Sequence, residues 1–81
     1  MEIKILGTGC PKCKKLEANA REALKQLGTS ATVEKVTALD DIMAYGVMMT
    51  PGLVVDGEVK ASGRVVSVEK IKEIISGITH N

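Results

Sequence analysis

Hydrophobic and polar residues recur at regular intervals along most of the chain, and each interval predicts an element. The clearest pattern covers Pro11–Leu27, where apolar residues recur every three or four positions and charged residues fill the others. The apolar stripe consists of Cys13, Leu16, Ala20, Ala23, Leu24 and Leu27. Pro11 suits the first position of a helix, and Gly28 suits its C-terminal end. The pattern therefore predicts an amphipathic helix over this range.

Four short segments have lengths and compositions typical of β-strands, and turn residues lie beside most of them. They are Met1–Leu6, Ala31–Val36, Gly52–Val55 and Glu58–Ala61. The second segment is β-branched but alternates poorly, which predicts an edge strand. The dipeptide Asp56-Gly57 between the last two is typical of a two-residue hairpin turn. The last two strands should therefore pair antiparallel.

A short helix is predicted between the second and third strands. Thr37-Ala38-Leu39-Asp40 has the form of a capping box, with Asp at its fourth place. The helix should run to about Tyr45, turn Leu39, Ile42 and Met43 inward, and end at Gly46.

A third helix closes the pattern. Ser67 is its predicted cap. Its apolar stripe consists of Val68, Ile71, Ile74, Ile75 and Ile78. The element order is then βαβαββα, in which a helix joins two parallel strands and a hairpin follows. This order predicts an α/β fold, with a four-stranded mixed sheet flanked by three helices, in a single domain over residues 1–81.

Composition narrows the class of protein. The chain is 44% hydrophobic and Tyr45 is its one aromatic residue, so the core should be aliphatic. Eleven basic and ten acidic residues nearly cancel, which gives no reason to expect a nucleic-acid partner. No apolar run approaches the length of a membrane span, and the N-terminus lacks the features of a signal peptide. We therefore expect a cytoplasmic protein with no membrane partner.

Both cysteines lie at the start of the first helix, two residues apart. If Cys10 is the N-cap, its sulfur accepts a hydrogen bond from the backbone N–H of Cys13. The helix dipole and nearby lysines (Lys12, Lys14 and Lys15) also favour a thiolate at Cys10. Solvation of the helix start is an equally good explanation for these lysines. In the cytoplasm such a pair is more often catalytic or metal-binding than a structural disulfide.

Three interpretations of the cysteine pair compete: a redox dithiol, a soft-metal site for Cu(I) or zinc, and two ordinary core residues. The third is disfavoured, because two cysteines seldom meet at a helix start by accident. Structural zinc needs four ligands, and besides the thiols the chain offers only His80 near its end, so zinc would require a dimer. Residues 7–27 alone resemble a heavy-metal-associated domain, but such domains have the order βαββαβ and end on a strand. The metal-binding carrier or redox sensor remains the alternative.

The chain as a whole resembles the thioredoxin superfamily, in particular its branch of small glutaredoxin-like, redox-active disulfide proteins. Cys10-Pro11-Lys12-Cys13 matches the CxxC motif, and Thr50-Pro51 matches the threonine and cis-proline that face it. Asp56-Gly57 matches the hairpin of the family, and residues 45–51 are particularly similar to the short branch.

The resemblance implies a protein disulfide oxidoreductase. Cys10 would be the nucleophile and Cys13 the resolving cysteine, with no metal and no cofactor other than their own redox-active disulfide. Thr50 and Pro51 would dock the substrate, with a cis bond between them, and Lys12 would tune the thiolate weakly. The substrates would be protein disulfides, and we expect a monomer. Val47, Met48 and Met49 are predicted to form an apolar docking rim, and filling of the core is the alternative for the two methionines.

Departures from the family concern the surroundings of the motif. Gly9 stands where thioredoxins carry Trp, and the first strand offers Lys4 where they bury an Asp. Ser62-Gly63-Arg64-Val65 replaces the Gly-Gly and acidic pair through which glutaredoxins bind glutathione. We therefore expect a thioredoxin-reductase-like electron donor rather than glutathione.

Overall fold

A computed structural model describes residues 1–79 and gives seven elements in the predicted order. They are β1 (Glu2–Leu6), α1 (Pro11–Leu27), β2 (Thr32–Val36), α2 (Leu39–Ala44), β3 (Gly52–Val55), β4 (Glu58–Ser62) and α3 (Val68–Thr79). The bounds of α1 agree with the prediction, and those of the four strands differ from it by at most one residue at either end. None of the helices within residues 1–79 is long and apolar enough to cross a membrane.

The four strands form one mixed sheet in the order β2-β1-β3-β4. β1 and β2 are parallel, whereas β3 is antiparallel to both β1 and β4. The predicted edge position of β2 and the predicted hairpin are thus confirmed. Leu6 pairs with Val36 on one side and with Gly52 on the other. The loops that follow β1 and precede β3 therefore meet at the same edge of the sheet.

Helices cover both faces of the sheet, as the pattern predicts. On one face α1 and α3 enclose the larger core cluster, which includes Ile3, Ile5, Leu16, Ala20, Leu53, Val55, Ile71 and Ile75. On the other face α2 covers a smaller cluster formed by Leu6, Val36, Ile42, Val47 and Val54, with Tyr45 packed against it. Both clusters are aliphatic, and burial of each large side chain contributes about 1.5–3 kcal/mol.

Local signals at the turns and caps are mostly confirmed. Asp56 and Gly57 both have positive φ, 49° and 85°, as a type I′ hairpin turn requires. Gly28 ends α1 in the left-handed region at φ 65°, and its N–H donates to the carbonyls of Leu24 and Lys25. The Oγ of Ser67 accepts a hydrogen bond from the backbone N–H of Lys70 at 3.2 Å, so the predicted cap of α3 is present. The side chain of Ile78 lies outside the described residues.

The prediction for α2 is wrong in two respects. Its N-cap is Ala38, which makes no side-chain cap bond, so Thr37 does not form the predicted capping box. Of the three residues expected to face inward, only Ile42 is buried, while Leu39 is 62% exposed and Met43 is 54% exposed. The physical reason is the length of the helix. Six residues make fewer than two turns, so a single side chain reaches the core and periodicity cannot set the phase.

Candidate active site

A glycine-rich loop leads from β1 to the cysteines. Gly7 extends the parallel pairing beyond β1, because its N–H donates to the carbonyl of Val36 at 2.9 Å. Gly9 then adopts a φ of 93°, in the left-handed region that favours glycine. This turn places Cys10 at the start of α1, at the edge of the sheet where the loops meet.

Cys10 is the N-cap of α1, as predicted. Its backbone is extended, with φ −68° and ψ 164°, and its Sγ accepts a hydrogen bond from the backbone N–H of Cys13 at 3.3 Å. Pro11 occupies the first turn, where its missing N–H leaves no partner unsatisfied. The first turn contains no acidic residue. The partly exposed sulfur of Cys10 thus faces hydrogen-bond donors and the positive end of the helix dipole.

Cys13 lies one turn deeper and is only 5% exposed. Its Sγ is 2.7 Å from the Sγ of Cys10, and both cysteines are free thiols. The sulfur of Cys10 is therefore accessible to a substrate, and the sulfur of Cys13 is in position to attack the sulfur of Cys10 from the buried side.

The pKa values of the two thiols move in opposite directions. The hydrogen bond from the side chain of Cys13 is the largest cause that lowers the pKa of Cys10, followed by the backbone N–H of Cys13. Burial is the largest cause that raises the pKa of Cys13, followed by its hydrogen bond to Cys10. Lys12 contributes to the lowered pKa of Cys10 through its backbone N–H. Tuning by its side chain stays a prediction.

The loop before β3 brings a second predicted pair to the site. The Thr50–Pro51 peptide bond is cis, which confirms the prediction. Pro51 is buried, and its carbonyl accepts a hydrogen bond from Gly63 at 2.8 Å. The Cβ of Thr50 lies 3.8 Å from the position that a Cβ on Gly7 would take, and the Sγ of Cys13 lies beside the same position. Thr50, Gly7 and Cys13 are thus neighbours.

The sequence pattern did not indicate the close approach of Gly7 to Cys13, since Gly7 entered only as the first residue of the segment that resembles a heavy-metal-associated domain. A Cβ built on Gly7 would collide with the Sγ of Cys13. The available signal was the position of a glycine between a buried strand and a CxxC motif.

A cavity of about 70 Å³ adjoins Cys13 between α1 and β2. Its lining includes Gly7, Gly9, Cys13, Glu17 and Lys35. The carboxylate of Glu17 pairs with Arg21 at 3.0 Å, as its spacing along α1 indicates, and lies 3.9 Å from the Nζ of Lys35. No sequence pattern indicates the second partner, because Lys35 contacts Glu17 from the neighbouring strand.

The three residues before Thr50 separate into two kinds. Val47 is 3% exposed and belongs to the core under α2, so its inclusion in an apolar rim was wrong. Met48 and Met49 are 85% and 68% exposed. Two large apolar side chains therefore lie in solvent immediately before Thr50.

A metal ion finds few ligands here. Among residues 1–79 no group of three or more His, Cys, Asp and Glu side chains is arranged to hold a metal ion. His80, the histidine weighed as a zinc ligand, lies outside the described residues.

A dithiol at a helix start, facing a Thr–Pro loop on a four-stranded mixed sheet with three helices, defines a thioredoxin-like protein. Comparison with known proteins agrees, because the family model of the thioredoxin domain matches residues 1–76. A thioredoxin of Methanothermobacter thermautotrophicus is 54% identical over 76 residues, which cover 94% of this chain and 99% of that protein. A thioredoxin of Methanocaldococcus jannaschii is 42% identical over 71 residues, or 88% and 81% of the two chains. The chain belongs to the thioredoxin family, a family of thiol–disulfide oxidoreductases.

Proposed function

We propose that this protein reduces disulfide bonds in other proteins, with Cys10 as the nucleophile and Cys13 as the resolving cysteine. The asymmetry of the two thiols carries the proposal. Cys10 is partly exposed and its pKa is lowered, whereas Cys13 is buried, its pKa is raised, and its sulfur lies 2.7 Å from that of Cys10. The thiolate is the form that attacks disulfides, so the exposed cysteine reacts first.

In the first step the Cys10 thiolate attacks one sulfur of the substrate disulfide. A bond forms between Cys10 and that sulfur, and the substrate S–S bond breaks. The second substrate sulfur leaves as a thiolate and takes a proton from solvent. The product is a mixed disulfide between Cys10 and the substrate.

In the second step Cys13 loses its proton to solvent and attacks the Sγ of Cys10. The mixed disulfide breaks, and the remaining substrate sulfur leaves as a thiolate. The Cys10–Cys13 disulfide now holds the oxidising equivalents, since two electrons have passed to the substrate. No cofactor other than this dithiol is required.

Thr50 and Pro51 would position the substrate. Thr50 lies beside Gly7 and Cys13, so a substrate held there would present its disulfide to the cysteine pair. We expect the backbone of Thr50 to pair with an extended substrate segment, as in other short β-type contacts.

The electron donor that we propose is a flavoprotein of the thioredoxin-reductase kind. We also propose that the present protein is a monomer and acts in the cytoplasm. The support for this donor is the loop Ser62-Gly63-Arg64-Val65, which lacks the Gly-Gly and acidic pair through which glutaredoxins bind glutathione. The backbone N–H of Gly63 in this loop donates a hydrogen bond to the carbonyl of Pro51, so the loop borders the site.

An NADPH-coupled insulin reduction assay tests the function and the donor together. One arm contains a thioredoxin reductase, and the other contains glutathione with glutathione reductase. We expect turnover in the first arm, and none with either Cys10→Ser or Cys13→Ser. If the protein is reduced with dithiothreitol, separated from the reagent, and then fails to reduce insulin, the proposed reductase function is refuted. Faster turnover in the glutathione arm would refute the donor alone.

A further inference from the structure

Three lysines beside Cys10 have no carboxylate partner among the residues that the structure describes. Lys12, Lys14 and Lys15, here called the basic rim, are exposed, and none of them forms an ion pair within residues 1–79. Most other basic side chains are paired: the ammonium or guanidinium groups of Lys4, Arg21, Lys35, Lys60 and Lys70 lie 2.9 to 3.9 Å from a carboxylate oxygen. The rim thus concentrates uncompensated positive charge.

Helical geometry places this charge around the nucleophile. Cys13 points into the protein, and neighbours along an α-helix are rotated by about 100°, so Lys12 and Lys14 lie on opposite flanks of it. Lys15 is one turn beyond Lys12 on the solvent side of α1. Cys10 is the N-cap of the same helix, so the three lysines lie within the first five helical residues after the nucleophile.

Three acidic residues, Glu17, Glu34 and Asp41, do not neutralise the rim. Glu17, the acidic residue one turn further along α1, already pairs with Arg21 and Lys35. Glu34 and Asp41 line a cavity of about 410 Å³ on the opposite face of the sheet, under α2. The positive charge of the basic rim is therefore available to interact with a substrate that binds at Cys10.

Stabilisation of the Cys10 thiolate does not explain why three lysines lie beside it. The largest causes of the lowered pKa of Cys10 are hydrogen bonds from the side chain and backbone of Cys13. A substrate carrying carboxylates would be repelled by the Cys10 thiolate, and the rim offsets this repulsion. A substrate carrying cations would be repelled by the rim instead.

We propose that the protein substrates present acidic residues beside the disulfide that Cys10 attacks, so that their carboxylates lie against the basic rim. The exposed side chains of Met48 and Met49, next to Thr50, add an apolar contact for the same segment. The inference rests on the proposed reductase function and names its substrate class.

Three synthetic peptides test the inference. They share one intramolecular disulfide loop, flanked on both sides by Glu, by Gln or by Lys, and pre-reduced protein reduces them at low ionic strength. We expect the Glu peptide to react about tenfold faster than the Lys peptide, with the Gln peptide between them. At about 1 M salt, where charges more than roughly 3 Å apart are screened, the three rates should converge.

Charge-reversed variants provide the matched comparison. Lys12→Glu combined with Lys15→Glu should invert the order of the Glu and Lys peptides. Lys25→Glu, which reverses an exposed charge in the last turn of the same helix, should preserve it. Ratios of rates within each variant cancel any change in the reactivity of Cys10.

The outcomes separate the inference from the function beneath it. If none of the three peptides is reduced, the reductase function fails and the inference fails with it. If all three peptides are reduced at equal rates, or the Lys peptide reacts fastest, the acidic substrate class is overturned while the reductase function stands.

Discussion

The sulfur of Cys13 occupies the space that a side chain on Gly7 would need. A Cβ on Gly7 would collide with the Sγ of Cys13 and would lie 3.1 Å from its Cβ. Gly7 directly follows β1, and Cys13 lies in the first turn of α1. Close approach of the strand end to the helix start therefore depends on the absence of a side chain at position 7.

Gly7→Ala should destabilise the protein by about 1–3 kcal/mol, because the added methyl group forces the buried thiol or the loop to move. The same movement should slow closure of the Cys10–Cys13 disulfide. The free energy of unfolding in urea measures the first effect. Gly77→Ala is the control, since Gly77 lies in α3 with nothing near its missing Cβ. It should gain up to about 1 kcal/mol from the better helix propensity of alanine. Equal stability of Gly7→Ala and the wild type would contradict the steric conflict.

Alkylation should distinguish the two cysteines. The thiolate is the reactive form, so a lowered pKa makes Cys10 reactive at neutral pH, and a raised pKa delays Cys13 to more alkaline pH. With limiting iodoacetamide at pH 7, peptide mapping should find the label mainly on Cys10. The labelling rate of Cys10 should rise with pH and reach half its maximum below the ordinary thiol pKa of about 8.5. In urea-unfolded protein the difference should vanish. Faster labelling of Cys13 in the folded protein would reverse the assigned roles.

The cap of α3 offers a test in the loops. Ser67→Ala removes the acceptor for the backbone N–H of Lys70 and should cost about 1 kcal/mol of unfolding free energy. Thr37→Ala is the matched control, because the N-cap of α2 is Ala38, which makes no side-chain cap bond. It should change stability by less than about 0.5 kcal/mol. A larger cost at Thr37 than at Ser67 would show that the caps are assigned to the wrong residues.

Metal removal should leave the reduced protein unchanged, because within residues 1–79 no third ligand joins the two thiols in a cluster. After treatment with a strong chelator, the helical circular dichroism and the rate of insulin reduction should equal those of untreated protein. Loss of both, with recovery on adding zinc or Cu(I), would favour the metal-carrier alternative.

Local rules predicted α1 and the cap at Cys10 because the signals lie within the segment itself. Pro11 and Gly28 mark the two ends, and an apolar stripe over 17 residues fixes the buried face. The short α2 lacks such a stripe, so the sequence misplaced Leu39 and Met43. Val47 was misplaced because loop residues have no periodicity, and its burial depends on its place beneath α2, against Leu6 and Gly52.

Long-range features of the site were predicted only through resemblance, or not at all. Thr50 reaches Cys13 because β3 pairs with β1, a relation that no local pattern contains. The contact of Lys35 with Glu17 likewise needs β2 beside α1. The Sγ–Sγ approach of Cys10 and Cys13 is different, since a CxxC spacing at a helix start brings the two sulfurs together within one turn.

The central claim is that Cys10 attacks the substrate and Cys13 resolves the mixed disulfide. Its most direct test mixes native insulin, with its disulfides intact, with pre-reduced Cys13→Ser protein. The reaction is quenched with acid, and the products are analysed by mass spectrometry without a reducing agent. We expect a stable mixed disulfide on Cys10 of the Cys13→Ser protein, and no comparable adduct on Cys13 of the Cys10→Ser protein. If the adduct on Cys13 of the Cys10→Ser protein forms in equal or greater yield than the adduct on Cys10 of the Cys13→Ser protein, Cys10 is not the attacking residue.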